Sequence, residues 1–180
     1  MGLDVTAFSK IKPADPTAIA KASDDLRAKY GDVYLGDVAD ELGAACIQPE
    51  LLDITAYHYP AQVVGLEAGV YTYDGEFSWR AGSYGGYNEW RRILCKRVLG
   101  VGPEVVWPEL GSFTGRPFVE LIAFSDCEGY IGATVSAKLA ADFSEWQSRI
   151  DDVDEWWLGS YASWRRGFEI AADGGFVYFR

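Results

Sequence analysis

The segment Val70-Tyr71-Thr72-Tyr73-Asp74-Gly75-Glu76-Phe77-Ser78-Trp79-Arg80-Ala81-Gly82-Ser83-Tyr84-Gly85-Gly86-Tyr87-Asn88-Glu89-Trp90-Arg91-Arg92 changes character twice. Its first part alternates apolar or aromatic residues with polar ones around Asp74-Gly75, a dipeptide suited to the positive φ angles of a two-residue turn, and so predicts a β-hairpin. Such a turn sets the register, with Tyr73 opposite Glu76, Thr72 opposite Phe77, Tyr71 opposite Ser78 and Val70 opposite Trp79. Val70, Thr72, Phe77 and Trp79 would then face the core, and Tyr71, Tyr73, Glu76, Ser78 and Arg80 the other side. The second part reads as a glycine-rich, aromatic loop entering a helix whose apolar stripe is Tyr87, Trp90, Leu94 and Val98.

A loop of this kind can hold an anion. Glycines let backbone N–H groups converge without a Cβ in the way, and the first turn of the helix adds unpaired donors and the positive end of its dipole. Ser83, Tyr84, Gly85, Gly86 and Tyr87 would form the cradle, with Arg80, Arg91 and Arg92 as its cationic side chains. Tyr71, Tyr73 and Tyr84 would stack on a base or line a sugar. The spacing matches neither GxxxxGK[ST] nor GxGxxG, so neither a P-loop nor a dinucleotide fold is expected.

Upstream, Leu3, Val5 and Ala7 alternate with Asp4 and Thr6 and predict a strand. Asp15-Pro16 makes an N-cap and first-turn pair for a helix ending at Gly31. Residues 32–62 show only a short helical hint at Val38, Leu42 and Ala45, and carry no functional reading. His58 reads as a packing residue. Downstream, residues 100–117 form a connection in which Trp107 and Phe113 either anchor it or act as a lid. Residues 118–124 then predict a short apolar strand. Two helices follow, with stripes at Val135, Leu139, Phe143 and Trp146 and at Trp157, Tyr161, Trp164, Phe168 and Ala171, the second starting near Asp151 to Asp154. Phe176 to Phe179 close the chain as a buried strand. The order predicts one α+β domain over residues 1–180, with a mostly antiparallel sheet that includes a central hairpin and helices packed mainly on one side.

Sixteen Lys and Arg against twenty-seven Asp and Glu leave a net charge of -11, which opposes attraction to nucleic acid or an anionic membrane. The expected partner is a small phosphate-bearing ligand held by a local arginine cluster. Three Cys cannot all pair within one chain, and no signal peptide or long apolar run is visible, so a reducing cytoplasm is expected. A single His and the lack of a CxxC spacing weigh against a zinc site or a His-dependent triad, and no metal or cofactor is expected.

A second loop, Ser125-Asp126-Cys127-Glu128-Gly129, also precedes a helix. Asp126 and Glu128 would bond ribose hydroxyls or a base edge. The alternative is an enzyme in which Cys127 and Glu128 act as nucleophile and acid or base, or in which Asp126, Glu128 and Asp173 hold Mg²⁺. Without a nearby His, that alternative ranks second and no catalytic residue is assigned.

Gly2-Leu3-Asp4-Val5-Thr6-Ala7, Ala81-Gly82-Ser83-Tyr84-Gly85-Gly86-Tyr87-Asn88, Phe124-Ser125-Asp126-Cys127-Glu128-Gly129 and Ala171-Ala172-Asp173-Gly174-Gly175 together resemble a family of small proteins encoded by phages and prophages. The resemblance implies a virus-encoded accessory protein and supplies no catalytic residue. By analogy of class, such proteins include sponges that sequester cyclic nucleotides or ADP-ribose derivatives used as bacterial immune signals. The expectation is therefore a sponge of that type, with a hydrolase or phosphodiesterase, or a protein-binding inhibitor of a host defence factor, as alternatives. Pockets shared between subunits are common in such sponges, which leaves a homo-oligomer open, although the sequence shows no coiled-coil or clear interface pattern for one.

Overall fold

A computed structural model describes residues 2–150 and 153–180. Among the described residues seven strands form two antiparallel sheets: β1 (Gly2–Ser9), β2 (Lys12–Pro13), β3 (Ala45–Ile47), β4 (Gly69–Thr72), β5 (Gly75–Ser83), β6 (Gly129–Gly132) and β7 (Phe176–Phe179). The larger sheet has the order β5-β1-β7-β6, and the smaller β2-β4-β3.

The hairpin expected around Asp74-Gly75 does not form, because β4 and β5 belong to different sheets. Residues 69–83 instead make one long bent strand against the N-terminus of the chain. The register stays in step through the bend: Phe8 faces Glu76 and Ser9 faces Gly75 on one side, Lys12 faces Thr72 and Pro13 faces Tyr71 on the other. Asp74 donates its N–H to Ser9 (3.1 Å) and so belongs to this ladder rather than to a turn. The crease is set on the opposite strand, where Lys10 takes φ 50 and the N–H groups of Lys10 and Ile11 reach the carbonyls of Asp173 (2.7 Å) and Gly174 (3.0 Å). A ladder with β1 spans nearly all of β5, whereas a hairpin with β4 would span only that strand's four residues. The longer pairing overrides the local turn preference of Asp-Gly.

The bend also alters the expected faces. Phe77 and Trp79 face the helices as expected, but Val70 and Tyr71 are both buried and Thr72 is exposed. Val70 packs with Ala14 and Ala39, while Tyr71 joins a second core of Phe8, Ala45, Ile47, Tyr130 and Phe176.

Nine helices are described: α1 (Pro16–Tyr30), α2 (Leu35–Glu41), α3 (Pro49–His58), α4 (Tyr84–Leu99), α5 (Pro103–Val106), α6 (Leu110–Phe113), α7 (Val119–Ile122), α8 (Ala133–Trp146) and α9 (Glu155–Ala171). α1 begins and ends where the sequence predicts, with Asp15 accepting from Thr17 N (3.1 Å) and Gly31 at φ 88. α9 is capped by Asp154, which accepts from Trp157 N (2.8 Å); Asp151 and Asp152 lie outside the described residues. Residues 118–124 do not form the expected strand. Phe118 turns at φ 60, donates its N–H to Asp142 (2.8 Å), and leads into the single turn of α7, whose Val119, Leu121 and Ile122 are all buried. A short apolar run buried on every side has no periodicity to separate strand from helix.

α4, α8 and α9 cover one face of the larger sheet. Leu3, Val5, Ala7, Val177 and Phe179 there meet Trp90, Trp157, Trp164 and Phe168, all fully or almost fully buried. The high aromatic content thus goes mostly into core. The other face is partly covered by the smaller sheet and α3.

Candidate functional site

β5 ends at Ser83 and α4 starts at Tyr84, so strand passes into helix without the expected loop. Gly82 turns the corner at φ 112, facing Leu3 beside the bulge at Leu3 and Asp4. The Ser83 hydroxyl accepts from Gly86 N (3.0 Å), which satisfies one of the helix's first-turn donors internally. Gly85 remains exposed beside it.

Further along α4, Arg91 is only 4% exposed. Its Nη1 donates to the carbonyl of Phe124 (2.5 Å), its Nη2 donates to Asn88 Oδ1, and its buried Nε has no partner. The guanidinium lies between two rings, 5.0 Å from the centroid of Tyr87 and 5.4 Å from that of Trp107. Among the described residues no carboxylate comes within 4 Å of it. Asn88 uses its other end to donate to Asp126 Oδ2 (2.6 Å), so one amide links the cation to a carboxylate of the site. Trp107, half exposed, is tethered by its indole N–H to the carbonyl of Ile122 (3.1 Å).

Two clefts open on either side of this group. One, of about 430 Å³, is lined by Tyr59, Arg91, Trp107, Leu110, Phe124 and Asp126. The other, of about 360 Å³, is lined by Gly85, Asn88, Glu89, Arg91, Arg92, Glu104, Trp107 and Asp126. Burial pushes the Tyr87 phenol up to about 12 and raises that of Tyr59, against the opposing pull of Arg91 in both cases. At neutral pH both phenols are protonated and able to donate. Only Tyr59 lines a cleft and can donate there, the Tyr87 hydroxyl being enclosed in the core; Arg91 supplies the buried cation, and Asp126, Glu89 and Glu104 the acceptors.

Comparison with protein-family models, curated proteins and solved structures finds no match. The site is therefore read from its own geometry.

Gly85, Arg91, Arg92 and Asp126 line one cleft, as the sequence reading requires of a shared site. Ser83 and Gly86 are joined in the helix cap, and the Tyr87 side chain lies in the core beneath Arg91. Arg92 also forms a surface ion pair with Glu89 (2.6 Å). The remaining expected residues go elsewhere. Tyr71 donates to the carbonyl of Glu67 (2.8 Å), and Tyr73 packs on Phe8 (4.8 Å between centroids) and donates to Glu76 (2.9 Å), so both serve the second core at the crease. Arg80 pairs with Asp4 (3.8 Å) on the outer face of the sheet. Tyr84 and Glu128 line a different cleft with Gln48, Glu50 and Arg180. Tyr71, Tyr73 and Arg80 fall away because the hairpin that would have aimed them at the helix start is replaced by the bent strand.

The second loop is tied by Ser125, whose hydroxyl accepts from Cys127 N (3.3 Å) and Glu128 N (3.2 Å). This turn sends Asp126 and Glu128 to separate clefts. Asp173 is paired with Lys10 (3.7 Å), so Asp126, Glu128 and Asp173 do not converge, and among the described residues no group of three or more His, Cys, Asp or Glu side chains is placed to hold a metal. His58 is exposed, edge-on to Tyr57 (4.9 Å). Among the described residues no helix is long and apolar enough to cross a membrane.

Sequence reading missed Asn88, Tyr59 and the carbonyl of Phe124. Asn88 lies three residues before Arg91 on one helix, a spacing that allows contact, but nothing local marks it as a link to Asp126.

Proposed function

We propose that the protein is a phage-type accessory protein that captures and sequesters a small nucleotide or ADP-ribose-like immune signal in the host cytoplasm, without turning it over. The observation that carries this reading is Arg91, a buried guanidinium with unused donors and no carboxylate within 4 Å among the described residues. A buried charge is costly unless paired. A phosphate entering the cleft would supply that pairing through charge-assisted bonds, with Arg92 and the exposed start of α4 nearby. Trp107 and Tyr59 offer flat surfaces for a base, and Asp126 an acceptor for a ribose hydroxyl. The phage setting and the signalling role rest on the sequence resemblance.

Binding is favoured over chemistry by the divergence of Asp126 and Glu128, since a hydrolytic acid and base must reach the same substrate. The test is to load the purified protein with ADP-ribose and with a panel of cyclic nucleotides, wash it, denature it by heat, and analyse what is released by mass spectrometry. Stoichiometric return of an intact compound supports the sponge. Return of a product would make the protein a hydrolase, and retention of nothing would turn attention to a protein partner.

A further inference from the structure

β5 is an outer strand of the larger sheet, with β1 as its neighbour on one side only. The alternation of the ladder decides which of its backbone groups face the open side. Asp4 exchanges both backbone hydrogen bonds with Arg180 (2.9 Å each), so Asp4, Thr6 and Phe8 turn their groups toward β7, and Val5 and Ala7 turn theirs toward β5. Opposite Val5 and Ala7 stand Trp79 and Phe77. The alternating residues Glu76, Ser78 and Arg80 therefore point their N–H and C=O groups away from the sheet. Exposed edges are usually blunted by proline, by charged side chains, lysine above all, or by a bulge. Residues 76–80 contain no proline or lysine, their two charges, Glu76 and Arg80, are of opposite sign, and the bulge in the ladder lies beyond them.

The edge is complementary to itself. In an antiparallel pairing about a two-fold axis at Ser78, Glu76 meets Arg80 of the second copy, Ser78 meets Ser78, and each of these pairs exchanges both backbone bonds. The side chains of Glu76, Ser78 and Arg80 are all exposed on the outer face, where opposite charges directly across a strand pair attract. On the inner face Phe77 would meet Trp79 of the second copy. These two half-buried rings already stack within one chain (5.4 Å), and Arg166 covers the Phe77 ring at 4.4 Å.

We infer that two copies of this chain associate through β5, joining their larger sheets into one continuous antiparallel sheet. The partner is a second copy because reversing the segment Glu76-Phe77-Ser78-Trp79-Arg80 places each charge against its opposite and each aromatic against the other, the self-complementarity a two-fold interface requires. This association is independent of the Arg91 cleft.

The experiment is sedimentation velocity over a range of concentrations on the wild type, E76R, R80E, the double variant E76R/R80E and an equimolar mixture of the two single variants, with circular dichroism to verify folding. The wild type is expected to dimerise. Each single variant places like charges across both ends of the pairing and should dimerise about tenfold more weakly or worse, while the double variant and the mixture restore association. Ser78→Pro gives a second test, since the N–H it removes faces outward and the ladder to β1 is left intact; it should give a folded monomer. A wild type that stays monomeric throughout, or single charge variants that dimerise as tightly as the wild type, would overturn the inference.

Discussion

Trp90 and Trp157 each donate an indole N–H to the other's backbone carbonyl, at 3.4 and 3.2 Å, with their rings 5.5 Å apart and close to parallel. This reciprocal pair joins α4 to α9 in the middle of the core. It satisfies two indole donors that burial would otherwise leave unpaired. Trp90→Phe or Trp157→Phe removes one bond and part of one ring and should cost about 1–3 kcal/mol in urea unfolding. Because the two residues share contacts, the double variant should lose less than the sum of the singles, and strict additivity in a double-mutant cycle would show the pair to be uncoupled.

Two glycines of α9 should respond in opposite directions. A Cβ at Gly167 would run into the Trp79 ring, whereas one at Gly159 meets nothing within 4 Å. Gly167→Ala is expected to lower stability by about 1–3 kcal/mol, since a rigid indole must move. Gly159→Ala is expected to raise it by about 0.5–1 kcal/mol through helix propensity. Thermal unfolding of the two variants side by side gives the comparison, and shifts of the same sign would contradict it.

Arg91→Met separates binding from stability. Its thioether side chain fills similar space between Tyr87 and Trp107 without a buried charge but leaves the Phe124 carbonyl and Asn88 Oδ1 without their donor, so the variant should stay folded and lose about 1–3 kcal/mol of stability. Ligand retention should fall at least about tenfold through loss of a charge-assisted contact. A variant that unfolds would show the guanidinium to be structural, and one that binds normally would remove Arg91 from the site.

Alkaline pH should unfold the protein through groups that the fold keeps neutral. Burial pushes the thiols of Cys46 and Cys95 up to about 11 and the Tyr87 phenol up to about 12, against ordinary values near 8.5 and 10. The unfolded chain therefore releases these protons first as pH rises. Their contribution to stability is fully present below about pH 8.5 and is lost progressively toward about pH 12. Denaturant midpoints between pH 8 and 12, read with tyrosinate absorbance, should fall over that window. A flat profile through pH 11 would contradict the assignment.

Much of the fold could be read locally. Asp15-Pro16 and Gly31 delimit α1, and the stripes of α4, α8 and α9 emerge with the expected buried residues because a helix shows its face through its own periodicity. The strand partners could not be read in this way. Asp74-Gly75 carries a strong hairpin signal, yet β5 pairs with β1 across a long sequence separation, and residues 118–124, a short and mostly apolar run without a periodicity to separate strand from helix, form a helical turn.

The site divides along the same line. Gly85, Arg91, Arg92 and Asp126 could be picked out as residue types suited to a phosphate-bearing ligand. That Arg91 alone of the three candidate arginines is buried, that Asn88 links it to Asp126, and that Tyr71, Tyr73, Arg80 and Glu128 lie elsewhere were decided by tertiary packing. Sequence by itself determined the long helices α1, α4, α8 and α9, their inward faces and the acidic balance of charge, since these follow from propensity, periodicity and composition. Only the tertiary structure decided which strands pair and which charge loses its water, because both depend on contacts between residues far apart in the chain.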